Sequence, residues 1–385
     1  MKEGWTYKKL GEVAIEMYRG SGIKRDQVTR EGIPCVRYGE IYTTYNIGFE
    51  KCVSHTDLSQ ISSPKYFEHG DLLFAITGES VEDIGKTIAY LGHEECLAGG
   101  DIVILKHKQN PKYLSYALSA PNAIKQKGLG KTKLKVVHTN IPALREIEIP
   151  VPPLSEQQRI VSRLDSAFDH IDELKANAEK QLSEARTLFQ KALAKAMEPK
   201  EGWEEKTLKD ICKVVNGRAY AKSEMLDQGK YRLLRVGNFF TNDKWYYSDL
   251  ELEEEKYCDK GDLLYAWSAS FGPKIWEGEK VIYHYHIWKM LCSSVIDKYF
   301  MYYWLDSDEL KKQTMTNLHG TTMAHITKGI IEASKVSFPH LSEQRRIVAR
   351  LDSLSENVRK YEEIQKKVIA ECDNLKQALL RQVFE

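Results

Sequence analysis

Across its 385 residues the chain has no long apolar run, no paired-cysteine motif and almost no net charge. The longest apolar stretches are a few residues, too short to span a bilayer. The first residues, MKEGWTYKKL, lack the apolar segment of an export signal, so a cytoplasmic location with no membrane partner is expected. Seven cysteines (35, 52, 96, 212, 258, 292 and 372) are scattered with no CxxC spacing, which argues against a disulfide framework and a zinc site. A net charge of +1 excludes a uniformly basic nucleic-acid protein but not a local basic surface.

Catalytic motifs are missing too. The one Pro-Pro pair, Val151-Pro152-Pro153-Leu154, has neither the Asn or Asp before it nor the aromatic after it that an adenine methyltransferase uses. Gly128-Leu129-Gly130-Lys131-Thr132 has the look of a phosphate loop, but that pattern needs glycine where Lys125 stands, and no apolar strand leads into it. His284 and His286, two apart in an alternating run expected to be a strand over 281–288, would share one face, yet no third metal ligand accompanies them. The expectation is a chain with no catalytic residue, no metal and no cofactor.

What the chain does have is a duplication. LSEQQRIVSRLD at 154–165 and LSEQRRIVARLD at 341–352 agree at ten of twelve positions. Gly4-Trp5 is echoed by Gly202-Trp203, GDLLFA at 70–75 by GDLLYA at 261–266, and Lys112-Tyr113 by Lys298-Tyr299. Each copy opens with a segment of short β-rich runs broken by Gly, Pro and Asn (1–150 and 199–338), with helical stretches at 112–127 and 298–313. Each then closes with a helical segment, 151–198 and 339–385. Pro152-Pro153 and Pro339 precede these helices, and Ser155 and Ser342 sit where N-caps are wanted.

Apolar residues in the helical segments recur at steps of three or four. Leu164, Phe168, Ile171, Leu174, Ala178, Leu182, Ala185, Leu188 and Ala192 form one stripe. Leu351, Leu354, Val358, Tyr361, Ile364, Val368, Cys372, Leu375 and Leu379 form the other. So narrow a stripe reads as a coiled-coil seam. The fold class expected is α+β: two similar mixed α/β domains joined by two long helices in an antiparallel coiled coil with pseudo-two-fold symmetry. Helices packed only on their own domains are the less favoured arrangement, because one domain covers too little of such a stripe.

The element Ile149 to Val161, IPVPPLSEQQRIV, and its second copy FPHLSEQRRIV resemble the conserved regions of the specificity (S) subunit of type I restriction-modification systems. The resemblance extends over the whole chain, with His340 replacing the second proline and Arg345 replacing the glutamine found at 158. It implies a non-enzymatic reader of double-stranded DNA. Each globular domain would recognise one half of a bipartite, asymmetric site, and the helices would fix the gap and dock two methyltransferase (M) subunits. Restriction/translocase (R) subunits would join for cleavage. S-adenosylmethionine, ATP and Mg²⁺ would then belong to those partners. The same architecture in a related methylation-based phage-defence system is the alternative; a coiled-coil scaffold with no DNA role is disfavoured by the two large domains.

Candidate DNA-binding residues fall into two groups. Residues 1–150 hold 20 Lys and Arg against 18 Asp and Glu, and residues 199–338 hold 20 against 21, so any phosphate-binding surface is local. The densest cluster is Lys125, Lys127, Lys131, Lys133 and Lys135 with Thr132, a glycine-hinged run suited to following a phosphate backbone. Its counterpart carries His319, Thr321, Thr322 and His325, side chains suited to base edges. The second group is Arg19, Lys24 and Arg25, answered by Arg218 and Lys222, together with Arg37 and Arg235, the latter followed by Asn238. Arginine suits guanine and asparagine suits adenine, while a structural ion pair is the competing role for Arg37 and Arg235.

Overall fold

The computed structural model describes residues 4–129, 136–268, 270–315 and 326–385. The chain divides into two compact units: unit 1 is Met1–Glu179 with Lys366–Glu385, and unit 2 is Lys180–Gln365. The division falls within the two long helices, Leu154–Met197 and Leu341–Phe384, so each unit holds one globular domain and part of both helices.

Unit 1 contains two five-stranded sheets. The first runs Ala14–Arg19, Ile102–His107, Leu72–Ala75, Thr87–Tyr90, Gly48–Phe49; the second runs Val28–Thr29, Ser54–Thr56, Ile33–Val36, Cys96–Ala98, Tyr66–Phe67. Unit 2 repeats the plan with four strands in each sheet: Cys212–Asn216, Ile287–Cys292, Leu263–Ser268, Ser270–Ile275, and Tyr246–Ser248, Tyr231–Leu234, Val281–Tyr283, Tyr257–Cys258. In each second sheet one pair is parallel, Val36 beside Ala98 in unit 1 and Leu234 beside Tyr283 in unit 2. A short antiparallel ribbon closes each domain, Thr6–Lys9 with Glu148–Val151 and Glu204–Thr207 with Lys335–Phe338.

The repeated motifs of the sequence are the joints of this plan. Gly4 and Gly202 have φ of 81° and 85°, which only glycine adopts cheaply, and they turn Trp5 and Trp203 onto the domain cores. In both GDLL runs the glycine has φ 92° and the aspartate accepts a backbone N–H three residues upstream, from Glu68 to Asp71 and from Asp259 to Asp262. The LSEQ glutamines are fully buried clasps. Gln157 accepts from Asn110 N at 2.9 Å and donates to Pro152 O at 2.9 Å; Gln344 accepts from Asp297 N at 2.7 Å and donates to Pro339 O at 2.7 Å. Each thereby ties a long helix to the N-terminus of the domain helix packed beside it.

That clasp also corrects the sequence alignment. Asn110 corresponds to Asp297, so Lys112 stands opposite Tyr299, and the Lys-Tyr pairs at 112 and 298 are one residue out of register. The helices expected over 112–127 and 298–313 are each two: Pro111–Leu118 and Pro121–Gly128, Lys298–Asp306 and Asp308–Met315. Pro121 breaks the first pair, since the residue before a proline avoids the helical region. The long helices start one residue before the expected caps: the Pro153 and His340 carbonyls accept from Gln157 N and Gln344 N, so Ser155 and Ser342 lie inside the first turn. The run 281–288 is not one strand but Val281–Tyr283, a turn, and Ile287–Cys292, so His284 and His286 lie in the turn.

Within each unit the helix segments pair antiparallel. In unit 1, Asp172 meets Lys376 and Lys175 meets Asp373. In unit 2, Gln181 accepts from the Tyr361 hydroxyl, and Leu193 and Met197 share a core with Ile347, Val348 and Leu351. The expected seam is only partly correct. Leu164, Phe168, Ile171 and Leu351 are buried, and Leu182, Leu354, Val358 and Leu379 are half-buried. Leu174, Leu188, Tyr361, Ile364, Val368 and Leu375 are exposed. The helix ends rest on the domain cores: Phe168 meets Tyr116 edge-on at 5.2 Å, and Leu193 and Met197 join the core of Trp288 and Trp304. Ala178 and Cys372 of the expected stripe are buried as well. A stripe that serves two kinds of neighbour does not keep one heptad register, and the residues that cover it include Gln365, Leu380 and Phe384, outside the expected list.

Candidate DNA interface

The two domains build the same cleft. In unit 1 the strand Ile33–Val36 ends at Arg37, which opens the short helix Tyr38–Thr43. In unit 2 the strand Tyr231–Leu234 ends at Arg235, which opens Val236–Phe240. Beside each arginine passes the segment after the parallel partner strand: Gly99 N donates to Val36 O at 2.8 Å, and His284 N donates to Leu234 O at 2.9 Å. The chain leaving the strands Ala14–Arg19 and Cys212–Asn216 reaches the same spot through bridges of Ser21 to Gly99 and Arg218 to His284. The approach is so close that a Cβ on Gly20 would come within 2.3 Å of Gly99 O, and one on Gly217 within 2.4 Å of His284 O.

The linings differ. The unit 1 cleft, about 510 Å³, is lined by Arg25, Arg37, Tyr38, Glu40, Gly99 and Gly100, among others. Here Glu40 is buried, and its carboxylate accepts from Arg37 N and Arg37 Nε, both at 3.1 Å, and from Ser54 Oγ at 2.7 Å. Arg19 is pinned at the rim, donating from Nε and Nη2 to Gly100 O at 3.1 and 3.0 Å. The unit 2 cleft, about 280 Å³, is lined by Arg235, Asn238, Asn242, Lys244, Tyr246, His284 and His286, among others. Rings stand where unit 1 has Gly99, Gly100 and Asp101: His284, Tyr285 and His286 contact one another with centroids 4.0–4.8 Å apart. Burial, then the neighbouring His286 and Arg235, pushes His284 down to about 4, so its imidazole is neutral near pH 7. Arg235 lies over the Tyr246 ring at 5.4 Å.

The structure thus gathers Arg25 and Arg37 in one cleft, with Arg19 at its edge, and Arg235 and Asn238 in the other. Lys24, Lys125 and Lys222 are exposed and do not line either cleft. Three expectations are corrected. Lys127 is fully buried, its ammonium donating to Leu118 O at 2.8 Å and Thr87 Oγ1 at 3.1 Å, and burial alone pushes it down to about 7. It is a core residue, not a phosphate contact. Arg218 is spent on Glu224 through two bonds of 3.0 and 2.7 Å. Asn238 donates its amide to Asn242 O and Lys244 O at 2.9 and 2.8 Å, so it cannot present the donor that bidentate adenine pairing needs. Lys131, Thr132, Lys133, Lys135, His319, Thr321, Thr322 and His325 lie outside the described residues. Asn242 and Lys244 were missed by sequence reasoning; the polar run Thr241-Asn242-Asp243-Lys244 next to aromatic residues was the available signal. Among the described residues no group of three or more His, Cys, Asp or Glu is placed to hold a metal, and no helix is long and apolar enough to cross a membrane.

Two duplicated mixed α/β domains with equivalent but differently lined clefts, each clasped to long paired helices, define a tandem recognition protein. The family described as the type I restriction modification DNA specificity domain matches residues 2–184 and 200–369, and the chain belongs to that family. The chain is similar to the MjaVIII type I specificity subunit of Methanocaldococcus jannaschii, 27% identical over 63% of each chain, so it spans just under two thirds of that relative. It is also similar to a putative MjaX specificity subunit of the same organism, 25% identical over 98% of this chain and 92% of the relative. Among solved structures, a chain from a type I R-M system complex shares the fold with TM-score 0.80 at 20% identity, covering 99% of this chain and 97% of that one. The HsdS subunit from Thermoanaerobacter tengcongensis matches with TM-score 0.57 at 19% identity, covering 100% of this chain and 97% of that one.

Proposed function

We propose that this chain is the specificity subunit of a type I restriction-modification complex and reads an asymmetric, two-part site in double-stranded DNA, one half per domain. The observation that carries the reading is the pair of equivalent clefts with different linings, Arg25, Arg37 and Glu40 in one and Arg235, Asn242 and His284 in the other. Equal frames position two readers alike, and unequal side chains select different bases. Two half-sites on one face of the duplex lie about 34 Å or one turn apart, a spacing that paired helices are suited to set.

Methyltransferase subunits dock, in this reading, on exposed apolar residues of the long helices. Leu174 and Leu188 are 56% and 60% exposed, and the repeat-equivalent Tyr361 and Leu375 are 38% and 49% exposed. A duplicated apolar surface fits two copies of one partner. Catalysis, with S-adenosylmethionine, ATP and Mg²⁺, resides in methyltransferase and restriction subunits, and the complex works in the cytoplasm. The test is to co-express the chain with the methyltransferase encoded beside it and read adenine methylation genome-wide. A bipartite motif with a fixed run of unspecified bases supports the reading. A single continuous palindrome, or no new methylation from an assembled complex, overturns it.

A further inference from the structure

Resting on that reading, we propose that Arg37 reads a guanine in the half-site of unit 1, and that Glu40 is the positioning residue that aims it. A guanidinium recognises guanine by presenting two parallel N–H donors to O6 and N7, and a flexible side chain presents them well only when its stem is fixed. The Glu40 carboxylate fixes it from two sides. It takes the Arg37 backbone N–H and the Nε–H at 3.1 Å each, which sets both the chain and the guanidinium plane. Ser54 holds the carboxylate in turn, at 2.7 Å. With Nε engaged, Nη1 and Nη2 have no hydrogen-bond partner among the described residues, and the side chain lines the open cleft.

A structural ion pair alone does not account for this arrangement. Arg218 turns both Nη atoms onto Glu224, and Arg186 gives Glu362 its Nε–H at 2.8 Å on an exposed helix face, whereas the carboxylate beside Arg37 is buried and also takes the Arg37 backbone N–H. Arg37 gives Glu40 its Nε and keeps the terminal fork free. Gly99 and Gly100, which pass beside Arg37 and line the cleft, add no side chain to it, and Asp101 next to them is within 3.4 Å of Arg19 Nη2. Unit 2 is built otherwise. The position of Glu40 is taken by Asn238, whose amide closes its own turn, and Arg235 stacks on Tyr246 with the His284 and His286 rings across the cleft. The aimed arginine is thus a property of one half-site.

The experiment is the genome-wide adenine methylation pattern of the complex of this chain with its methyltransferase, for the unaltered chain and for Arg37→Lys, Arg37→Ala, Glu40→Gln and Arg235→Ala. Arg37→Lys and Arg37→Ala are expected to leave one half of the motif intact. At one G·C pair of the other half, discrimination falls on the order of ten- to a hundredfold, the worth of a bidentate contact. Glu40→Gln relaxes the same base pair to a smaller degree while the complex still assembles. Arg235→Ala leaves that base pair unchanged. Since Arg37→Ala strands a buried carboxylate, the double variant Arg37→Met/Glu40→Gln removes both charges and is expected to show the same relaxed base. Uniform loss across both halves, an unchanged motif, or silence of both Arg37→Ala and the double variant overturns the assignment of Arg37. If the unaltered complex yields no bipartite motif, the DNA-reading function itself fails and the assignment with it.

Discussion

Replacing Gln344 by leucine tests whether the LSEQ motif is a mechanical clasp. The side chain has no exposed surface and makes three bonds to the main chain: it accepts from Asp297 N at 2.7 Å and donates to Val295 O at 3.0 Å and Pro339 O at 2.7 Å. Leucine keeps most of the volume and removes all three, so the loss measures hydrogen bonding and not a cavity. At about 1 kcal/mol for each lost bond the cost is about 3 kcal/mol, and more if the stranded groups find no water. For a unit of this size, about 2–4 °C accompanies each kcal/mol, so the melting temperature of unit 2 should fall by about 6–12 °C. Thermal unfolding followed by far-ultraviolet circular dichroism reads this directly. Gln157→Leu should act alike in unit 1, where Asn110 N, Gln109 Oε1 and Pro152 O are the partners. Gln344→Glu should cost more at neutral pH than leucine, because it turns a carboxylate toward two carbonyl oxygens. That excess should narrow on acidification, as the protonated acid regains one donor. A shift below about 2 °C for Gln344→Leu would refute the clasp and leave the motif without its structural explanation.

Other substitutions separate the remaining roles. Ile171→Ala and Leu351→Ala, at buried positions, should each cost about 2–5 kcal/mol in equilibrium denaturation. Leu188→Glu and Leu375→Glu, at exposed positions, should change stability by less than about 0.5 kcal/mol, yet weaken co-purification of the methyltransferase; unaltered binding would argue against docking there. Lys127, pushed down to about 7 by burial, binds its proton less readily in the folded than in the unfolded chain. Stability of unit 1 should therefore rise with pH from about 7 toward the ordinary lysine range, by up to about 1.4 kcal/mol per pH unit, and Lys127→Met should flatten that slope.

How much of this was legible in the sequence follows from what each motif does. The duplicated landmarks Gly-Trp, GDLL and LSEQ stood out because they perform the same backbone task twice. A left-handed turn accepts little but glycine, and a buried clasp to main-chain atoms accepts little but glutamine. The helices were legible from their period, but their seam was not. Leu174 and Leu164 look alike along a heptad, and only the tertiary structure shows that the first faces outward and the second meets the domain core. Lys127 was misread for a similar reason. Its place in a lysine-rich run predicts a solvated cation, whereas the helix Pro121–Gly128 turns that one position toward Thr87 and Phe74.

The clefts explain why reading residues are harder to find than joints. Arg37 and Arg235 occupy the same backbone position, yet the residue three places on decides what each does. Glu40 reaches back to its arginine, whereas Asn238 reaches forward to Asn242 and Lys244. No spacing rule separates the two, because both follow an identical strand-to-helix turn. The same independence is what a duplicated reader requires. Backbone joints held by Gln157 and Gln344 carry the frame, so side chains lining either cleft are free to change without disturbing the helices. Under the proposed function, selectivity can then vary in one half-site while the other half and the proposed docking surface remain as they are.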